Sequence, residues 1–550
     1  MTQVLESADK SSPKSIRQSV PPTPQLRIDV LGISLVMHLL ALALPLALLQ
    51  IYDRILPSQS YGTAGILILG VGIAIVLGMI LHYGRLSLFA TAGARYEAQT
   101  MAAMYQRLMG ADIKEIESIG SAAYSDAMRA IAQVRDFWSG QAGASLYEVP
   151  FVFVYIALIA YIGGWLAIIP LSLFILAIVI AFRLNPAIQR VSQQLEQESE
   201  TRRDFSWLLF AGLPYLKAIG AEGGIAEKWS RINARYMQHT SMLEARMGWV
   251  RENAASFGQL STVLIVCFGA VAVVSGEMTT GALAACTMLA GRSIGPAMGS
   301  LGYWSQWSRV REAQQKVDKI LSLPDNPAMS PAADNSAIRV ESGRLQIEAE
   351  ELLSSAVDIS PGQLVHVDSM NTADASRLMT AISGMSYDPE IRIKVDGHTL
   401  NDYTQDQYRN DVMLVTRRLA LVPGSILNNL TLFDPRYNND VAALSEALGL
   451  QSHLNHLRHG ILTEVGPASA EQLDEGIYQR IAIIRALLRK PRILLLDHAA
   501  SGIDIDGVNR LVEYLKTQRG QTTILIATYK QELIDICDTS IQLQASGGAA

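Results

Sequence analysis

Six apolar segments dominate the first part of the chain, at 29–50, 62–83, 147–164, 166–183, 255–275 and 280–300. Each is close to the ~20 residues that a bilayer-spanning helix needs. They fall into three hairpins. The turns within the hairpins are short, at Tyr52 to Tyr61, Gly163-Gly164 and Ser275 to Thr280, whereas the connections between hairpins, 84–146 and 184–254, are long. The long connections show apolar residues at helical spacing, as at Met104, Leu108 and Ile113, and no strand alternation. They are predicted to be helical extensions of the membrane helices. The short turns carry a single basic residue, Arg54, while the long connections carry Arg85, Arg95, Arg107, Lys114, Arg190, Arg202, Arg203, Lys217 and Lys228. The positive-inside rule therefore places the long connections and both chain ends in the cytoplasm.

Several positions stand out from this pattern. Gly291, Arg292 and Pro296 interrupt the sixth segment. Pro45 is expected to kink the first helix, because it removes a backbone donor. His38 and Gln50 lie in the first segment, where a polar side chain is costly. Such residues either line a substrate path or bond to a neighbouring helix, and the second is the simpler account. Tyr303, Trp304 and Trp307, just past the sixth segment, raise a similar pair of readings, a substrate groove or interfacial packing. Packing is again the simpler one.

The pattern changes after residue 322. Residues 323–336 are rich in Pro, Ala, Ser, Asp and Asn and read as a linker. Beyond it, short strands near Arg344 to Ile347 and Gln363 to Val367 precede a helix near Ala373 to Ile382. Arg492 to Leu496 and Thr522 to Ala527 are unbroken apolar runs of the kind found in buried parallel strands. Strands alternating with helices predict an α/β domain over 337–545.

Composition fits this division. Hydrophobic residues make up 49% of the 550 and charged residues only 17%, too apolar for an ordinary soluble enzyme. A net charge of −6 gives no electrostatic footprint for nucleic acid. The three cysteines, Cys267, Cys286 and Cys537, are scattered and imply neither a disulfide framework nor a metal site. Residues 1–27 are polar and contain Pro and Ser, so they are expected to form a disordered cytoplasmic tail with no signal peptide and no peptidase-like domain.

Two segments carry the resemblance to a known family. One reads Leu473-Asp-Glu-Gly-Ile-Tyr-Gln-Arg480 and continues as an apolar helix to Leu487; the other reads Leu494-Leu-Leu-Asp497-His498. With the six apolar segments, they make the chain resemble the ABC exporter superfamily over essentially its whole length after the tail. Ala43 to Ser60, containing Gln50-Ile-Tyr-Asp-Arg54, and Gly276-Glu-Met-Thr-Thr-Gly-Ala-Leu283 are similar to the first and third hairpins of type I secretion exporters. The resemblance implies a half-transporter of the bacterial inner membrane, with a six-span domain at 28–322 followed by an ABC-ATPase-like domain. It also implies a dimer partner, a periplasmic adaptor, an outer-membrane channel and an unfolded polypeptide as cargo.

The soluble half departs from the ABC pattern where the chemistry sits. A phosphate loop needs glycines whose N–H groups wrap the phosphates, a lysine for the β- and γ-phosphates, and a Ser or Thr for magnesium. The corresponding stretch is Ser369-Met-Asn-Thr-Ala-Asp-Ala-Ser-Arg377, with no glycine, with Ala375 at the lysine position and with Asp374 before it. Only Ser376 keeps its residue type. Losing the glycines forbids close backbone approach, and losing the lysine removes the charge clamp.

By resemblance, Asp497 stands at the magnesium-holding position, and His498 replaces the glutamate that polarises the attacking water. Asp474-Glu475-Gly476-Ile477 stand where Ser-Gly-Gly-Gln closes over the partner's nucleotide, so a defect is expected in both composite sites of a heterodimer. Arg417 replaces a magnesium-sensing glutamine and Thr528 a γ-phosphate-contacting histidine. No aromatic residue for adenine stacking is evident near Gln346 to Glu350. What survives is scaffold: Gln479-Arg480, Ser501-Gly-Ile-Asp504, Ser425 to Asn428 and Thr463 to Gly466, and the remnants of a nucleotide-binding set are Ser376, Asp497, Gly476, Gln479 and Asp504. No catalytic residue and no bound cofactor are expected, and ATP and magnesium would enter only through a competent partner. If magnesium binds at all, Ser376 and Asp497 would hold it.

Three functions compete. The first is an inactive half-transporter paired with an ATPase-competent paralogue. The second is a homodimeric, non-transporting scaffold or regulator of a secretion complex. The third is an active ATPase with an unusual phosphate grip.

Overall fold

The computed structural model describes residues 28–329, 338–417, 420–466 and 473–544. The tail 1–27, residues 330–336 of the linker 323–336, and Arg418 lie outside the described residues, as do the side chains of Pro296, Tyr303 and Trp304. The chain packs as two units. Of the described residues, the first comprises 28–109 together with Ile119–Leu323, and the second Gly110–Ser118 together with those from Pro324 onward.

The first unit is helical. Its labelled helices are α1 Ile28–Ala41, α2 Ala43–Gln50, α3 Tyr61–Gly110, α4 Ser121–Ser139, α5 Gln141–Gly163, α6 Ile168–Ala218, α7 Glu222–Val274 and α8 Thr280–Leu321. Among the described residues, four helical stretches are long and apolar enough to cross a membrane: 29–58, 61–110, 123–184 and 222–274. The third holds two apolar runs separated at Gly163-Gly164. Gly164 reverses the chain there at φ 58, ψ −120, a conformation that a Cβ would forbid.

Pro45 is felt where its chemistry places it. α1 stops at Ala41 and α2 restarts at Ala43, because the proline ring excludes the carbonyl four residues back from the helical ladder. The expected loop from Tyr52 to Tyr61 is shorter than the sequence suggested. Helical structure continues through a π-turn at Ile51–Ile55 to Ser58, and the chain reverses at Gln59. The polar Tyr52-Asp-Arg54 stretch stays helical because Asp53 is used structurally. Its carboxylate accepts from Thr279 Oγ1 (2.7 Å) and from the backbone N–H of Gly281 (2.9 Å), capping the start of α8.

His38 bonds across helices, with Nδ1 2.8 Å from the Tyr155 hydroxyl and its ring stacked on Phe151 at 4.1 Å. This is the inter-helix role expected of it, whereas Gln50 is exposed. Trp307 packs edge-on to Trp138 and against Phe137. Buried Arg85 joins three helices, donating to Glu148 at 2.8 Å and to Ser34 at 3.4 Å.

In the second unit the strands are β1 Leu345–Ala349, β2 Val357–Ile359, β3 Leu364–Asp368, β4 Ile391–Val395, β5 His398–Thr399, β6 Val412–Thr416, β7 Gly424–Ser425, β8 Glu464–Val465, β9 Ile493–Asp497, β10 Thr523–Ala527 and β11 Thr539–Gln542. A parallel sheet has the order β11-β3-β10-β9-β6. β9 and β10 are buried at every position, which is why their sequences are continuous apolar runs rather than alternating ones. An antiparallel sheet, β2-β1-β4-β5, adds a second layer. Of its strands β1 is the one expected near Arg344 to Ile347, and the others were not predicted.

Three further helices, α9 Thr372–Ile382, α10 Glu475–Leu487 and α11 Ile505–Gln518, pack on the parallel sheet. The carboxyl ends of β3, β9 and β10 meet at one edge, the usual ligand position in open α/β sheets. The sequence-selected residues Ser376, Asp497, His498 and Thr528 gather there.

Candidate functional site

The turn between β3 and α9 is closed on itself. Ser369 Oγ donates to the carbonyl of Asn371 (2.6 Å) and accepts from its N–H (3.2 Å). Asn371 is the N-cap of α9, and its side-chain oxygen accepts from the N–H of Ala373 (3.1 Å). The N–H of Asp374 reaches the Asn371 carbonyl (3.1 Å). The first-turn N–H groups that would face an anion at a helix N-terminus are thus partly used by the chain itself. Asp374 is buried in that first turn, adding negative charge near the positive end of the helix dipole. Ala375 is buried in the core beside Leu378 and Met379.

Ser376 and Asp497, the two retained magnesium-type residues, are brought together. Ser376 Oγ donates to Asp497 Oδ2 at 2.7 Å. Asp497 is buried, and its other oxygen has no hydrogen-bond partner among the described residues. Among the described residues no group of three or more His, Cys, Asp or Glu side chains is placed to hold a metal. His498 follows at φ 49, an uncommon conformation for a side chain of its size, and its ring lies 5.1 Å from that of Tyr529. Thr528 is buried; its hydroxyl accepts from the N–H of Lys530 (3.1 Å) and its carbonyl meets His366 Nε2 (3.2 Å).

The segment preceding α10 keeps its helix while changing its chemistry. Asp474 is the N-cap, accepting from the N–H of Ile477 at 2.8 Å, a task that aspartate performs as well as serine. Glu475 is exposed and meets Arg417 (3.8 Å) and Gln479 (3.4 Å), so two of the altered positions face each other within one domain. Gly476 is confined, because a Cβ there would lie 2.9 Å from the Gly502 carbonyl.

The scaffold residues form a connected set. Gln479 donates to Ser501 Oγ (3.0 Å) and accepts from the N–H of Gly502 (2.8 Å). Arg480, buried, donates to Asp504 Oδ1 (2.6 Å), which also caps α11 through the N–H of Gly507 (2.8 Å). That Gly507 bond leads in holding the Asp504 carboxyl below its ordinary pKa, with Arg480 and His453 adding to it. Asn371, Arg377, Asp388 and Tyr529 were not singled out from sequence. Only Asn371 gave a usable signal, as an Asn immediately before a helix.

Residues 30–296 match the family described as the ABC transporter transmembrane region, and residues 352–501 match the family described as ABC transporter. The chain is 24% identical to the leukotoxin export ATP-binding protein LtxB of Aggregatibacter actinomycetemcomitans over 94% of this chain and 74% of that protein. It is 23% identical to the leukotoxin translocation ATP-binding protein LktB of Mannheimia glucosida over 91% of this chain and 72% of that one. In fold it superposes on a bacterial Atm1-family ABC exporter solved with ATP bound, with a TM-score of 0.78 at 16% identity over 94% of both chains. With 30–296 matching the ABC transporter transmembrane region and 352–501 matching ABC transporter, the chain is a member of the ABC transporters, and the superposition gives it the fold of an ABC exporter.

Proposed function

We propose that the chain is a half-transporter of a type I protein secretion exporter whose own nucleotide site does not work, and that it pairs with an ATPase-competent subunit. The observation that carries this reading is the β3–α9 turn. It offers a self-capped helix start, a buried aspartate and a buried alanine where a triphosphate would need open N–H groups and a lysine. Ser376 and Asp497 alone could supply two oxygen ligands to magnesium, but this residue set does not fit a magnesium–triphosphate. We therefore assign no nucleotide chemistry to it. The likeness to leukotoxin exporters supports the secretion assignment.

In this reading six segments span the inner membrane, at 29–50, 62–83, 147–164, 166–183, 255–275 and 280–300, with both termini cytoplasmic. The partners are a second ABC half-transporter, a periplasmic adaptor, an outer-membrane channel and the exported polypeptide. A specific observation favours the competing scaffold reading: Asp474 and Glu475 would place carboxylates against a partner's nucleotide. Purification of the tagged chain from native membranes in mild detergent, with mass spectrometry of stoichiometric partners, separates the two. An intact ABC subunit at equal stoichiometry is the expected result. Recovery of this chain alone, or with an adaptor and no competent ATPase, would leave the scaffold.

A further inference from the structure

Immediately after Ser376, Arg377 sits on α9 and turns to a cluster of carboxylates. Its guanidinium grips Asp388 with a fork, Nε to Oδ2 at 2.6 Å and Nη2 to Oδ1 at 3.1 Å, and also bonds Glu390, with Glu351 at 3.6 Å. Asp388 is buried and is held from a second direction by the ammonium of Lys114 at 3.4 Å. Lys114 belongs to Gly110–Ser118, the stretch that follows the long helix α3 and packs with the second unit.

That stretch is fastened to the same short loop by its backbone. The N–H of Ile113 donates to the Met385 carbonyl (3.2 Å). The buried Asp112 carboxylate accepts from the N–H groups of Tyr387 (2.7 Å) and Lys114 (2.8 Å). Asn326 donates its backbone N–H to the Gly110 carbonyl (3.1 Å) and its side-chain amide to the carbonyls of Gly384 and Met385. The loop 384–391 is therefore pinned on one side by α9 through Arg377 and on the other by Gly110–Ser118.

We propose that Arg377 is a positioning residue, and that the Arg377–Asp388–Lys114 clasp holds Gly110–Ser118 on the soluble unit without help from nucleotide. Burial works against the Asp388 carboxylate, yet Arg377, the N–H of Glu390 and Lys114 outweigh it and keep its pKa below the ordinary value. Removing Arg377 leaves Asp388 buried against one ammonium, with Glu390 and Glu351 no longer neutralised. A buried charge stripped of its main partner is strongly destabilising, and the loop that carries the Met385 and Tyr387 contacts is what must give way. The clasp rests on the reading that nucleotide does not operate the β3–α9 turn. It adds what the altered domain does in its place, which is to hold the stretch at the end of α3 in one fixed position.

Amide hydrogen exchange of the full-length chain in detergent tests this. In Arg377→Ala, peptides covering 110–118 and 384–391 are expected to exchange on the order of tenfold faster, with the β9 peptide 493–497 unchanged. Arg377→Lys, which keeps the charge and loses the fork, is expected to recover part of the protection. Unchanged exchange at 110–118 in Arg377→Ala overturns the clasp. If Arg377→Ala does not fold, Lys114→Glu carries the test from the exposed side of the pair, and unchanged exchange there overturns it equally. Adding magnesium–ATP to the wild-type chain is expected to leave 110–118 unaffected. A nucleotide-dependent change would instead contradict the reading of the phosphate turn, while Arg377→Ala would still decide the clasp.

Discussion

Asp504→Ala is expected to lower the stability of the second unit by about 3 kcal/mol, adding a lost helix cap to a buried guanidinium left without its carboxylate. Asp504 has two tasks, capping α11 at Gly507 and neutralising Arg480, whose side chain is only 4% exposed. Asp504→Asn keeps a cap oxygen and a hydrogen-bond acceptor and loses only the charge, so it is expected to cost about 1 kcal/mol. Chemical denaturation of the full chain, followed by a probe in the second unit, measures both. The pH dependence has a definite sign. Because the folded Asp504 pKa lies below its ordinary 3.8, its contribution is complete above that value and is lost as pH falls through the lower folded value. Equal stability of wild type and Asp504→Ala would mean that the scaffold set around α10 is not what holds this edge of the sheet.

The opposite sign is expected at Asp497. Its carboxylate is buried, with one oxygen bonded to Ser376 and the other without a partner among the described residues. A buried, half-satisfied carboxylate costs stability unless a cation or ligand completes it. Asp497→Asn removes the charge and keeps the shape, so it is expected to stabilise the chain by about 1 kcal/mol in magnesium-free buffer. The same measurement with millimolar magnesium is expected to give the same difference. If magnesium stabilises the wild type and not Asp497→Asn, the carboxylate has a cation to hold and the account of the site needs revision.

The parts of this fold that were legible in sequence are those where burial is uniform or periodic. β9 and β10 read as continuous apolar runs because both of their faces are covered, and the membrane helices read as apolar segments of bilayer length. The position of the β3–α9 turn followed from a strand and a helix that both gave clear patterns. Of the antiparallel sheet only β1 was legible, near Arg344 to Ile347; β2 and β5 are three and two residues long and carry no usable alternation. The helical run through Tyr52-Asp-Arg54 was missed because its polar residues signal a loop, whereas Asp53 is used to cap a helix more than two hundred residues away.

The residue types at Asp374, Ala375, Asp474 and His498 could be read one by one, but what they do locally could not. That Asp474 caps α10, or that Asn371 closes the start of α9, depends on backbone geometry. Arg377 drew no notice because its partners, Asp388 and Lys114, bear no periodic relation to it in the chain and meet it only through folding.

The most direct test is equilibrium binding of magnesium–ATP to the purified full-length chain, over a range reaching roughly millimolar, where a site of micromolar affinity would be saturated. No saturable binding is expected, and none in Ala375→Lys, since Asn371 and Asp374 still occupy the helix start. Saturable, magnesium-dependent binding by the wild type that is lost in Asp497→Asn would contradict it.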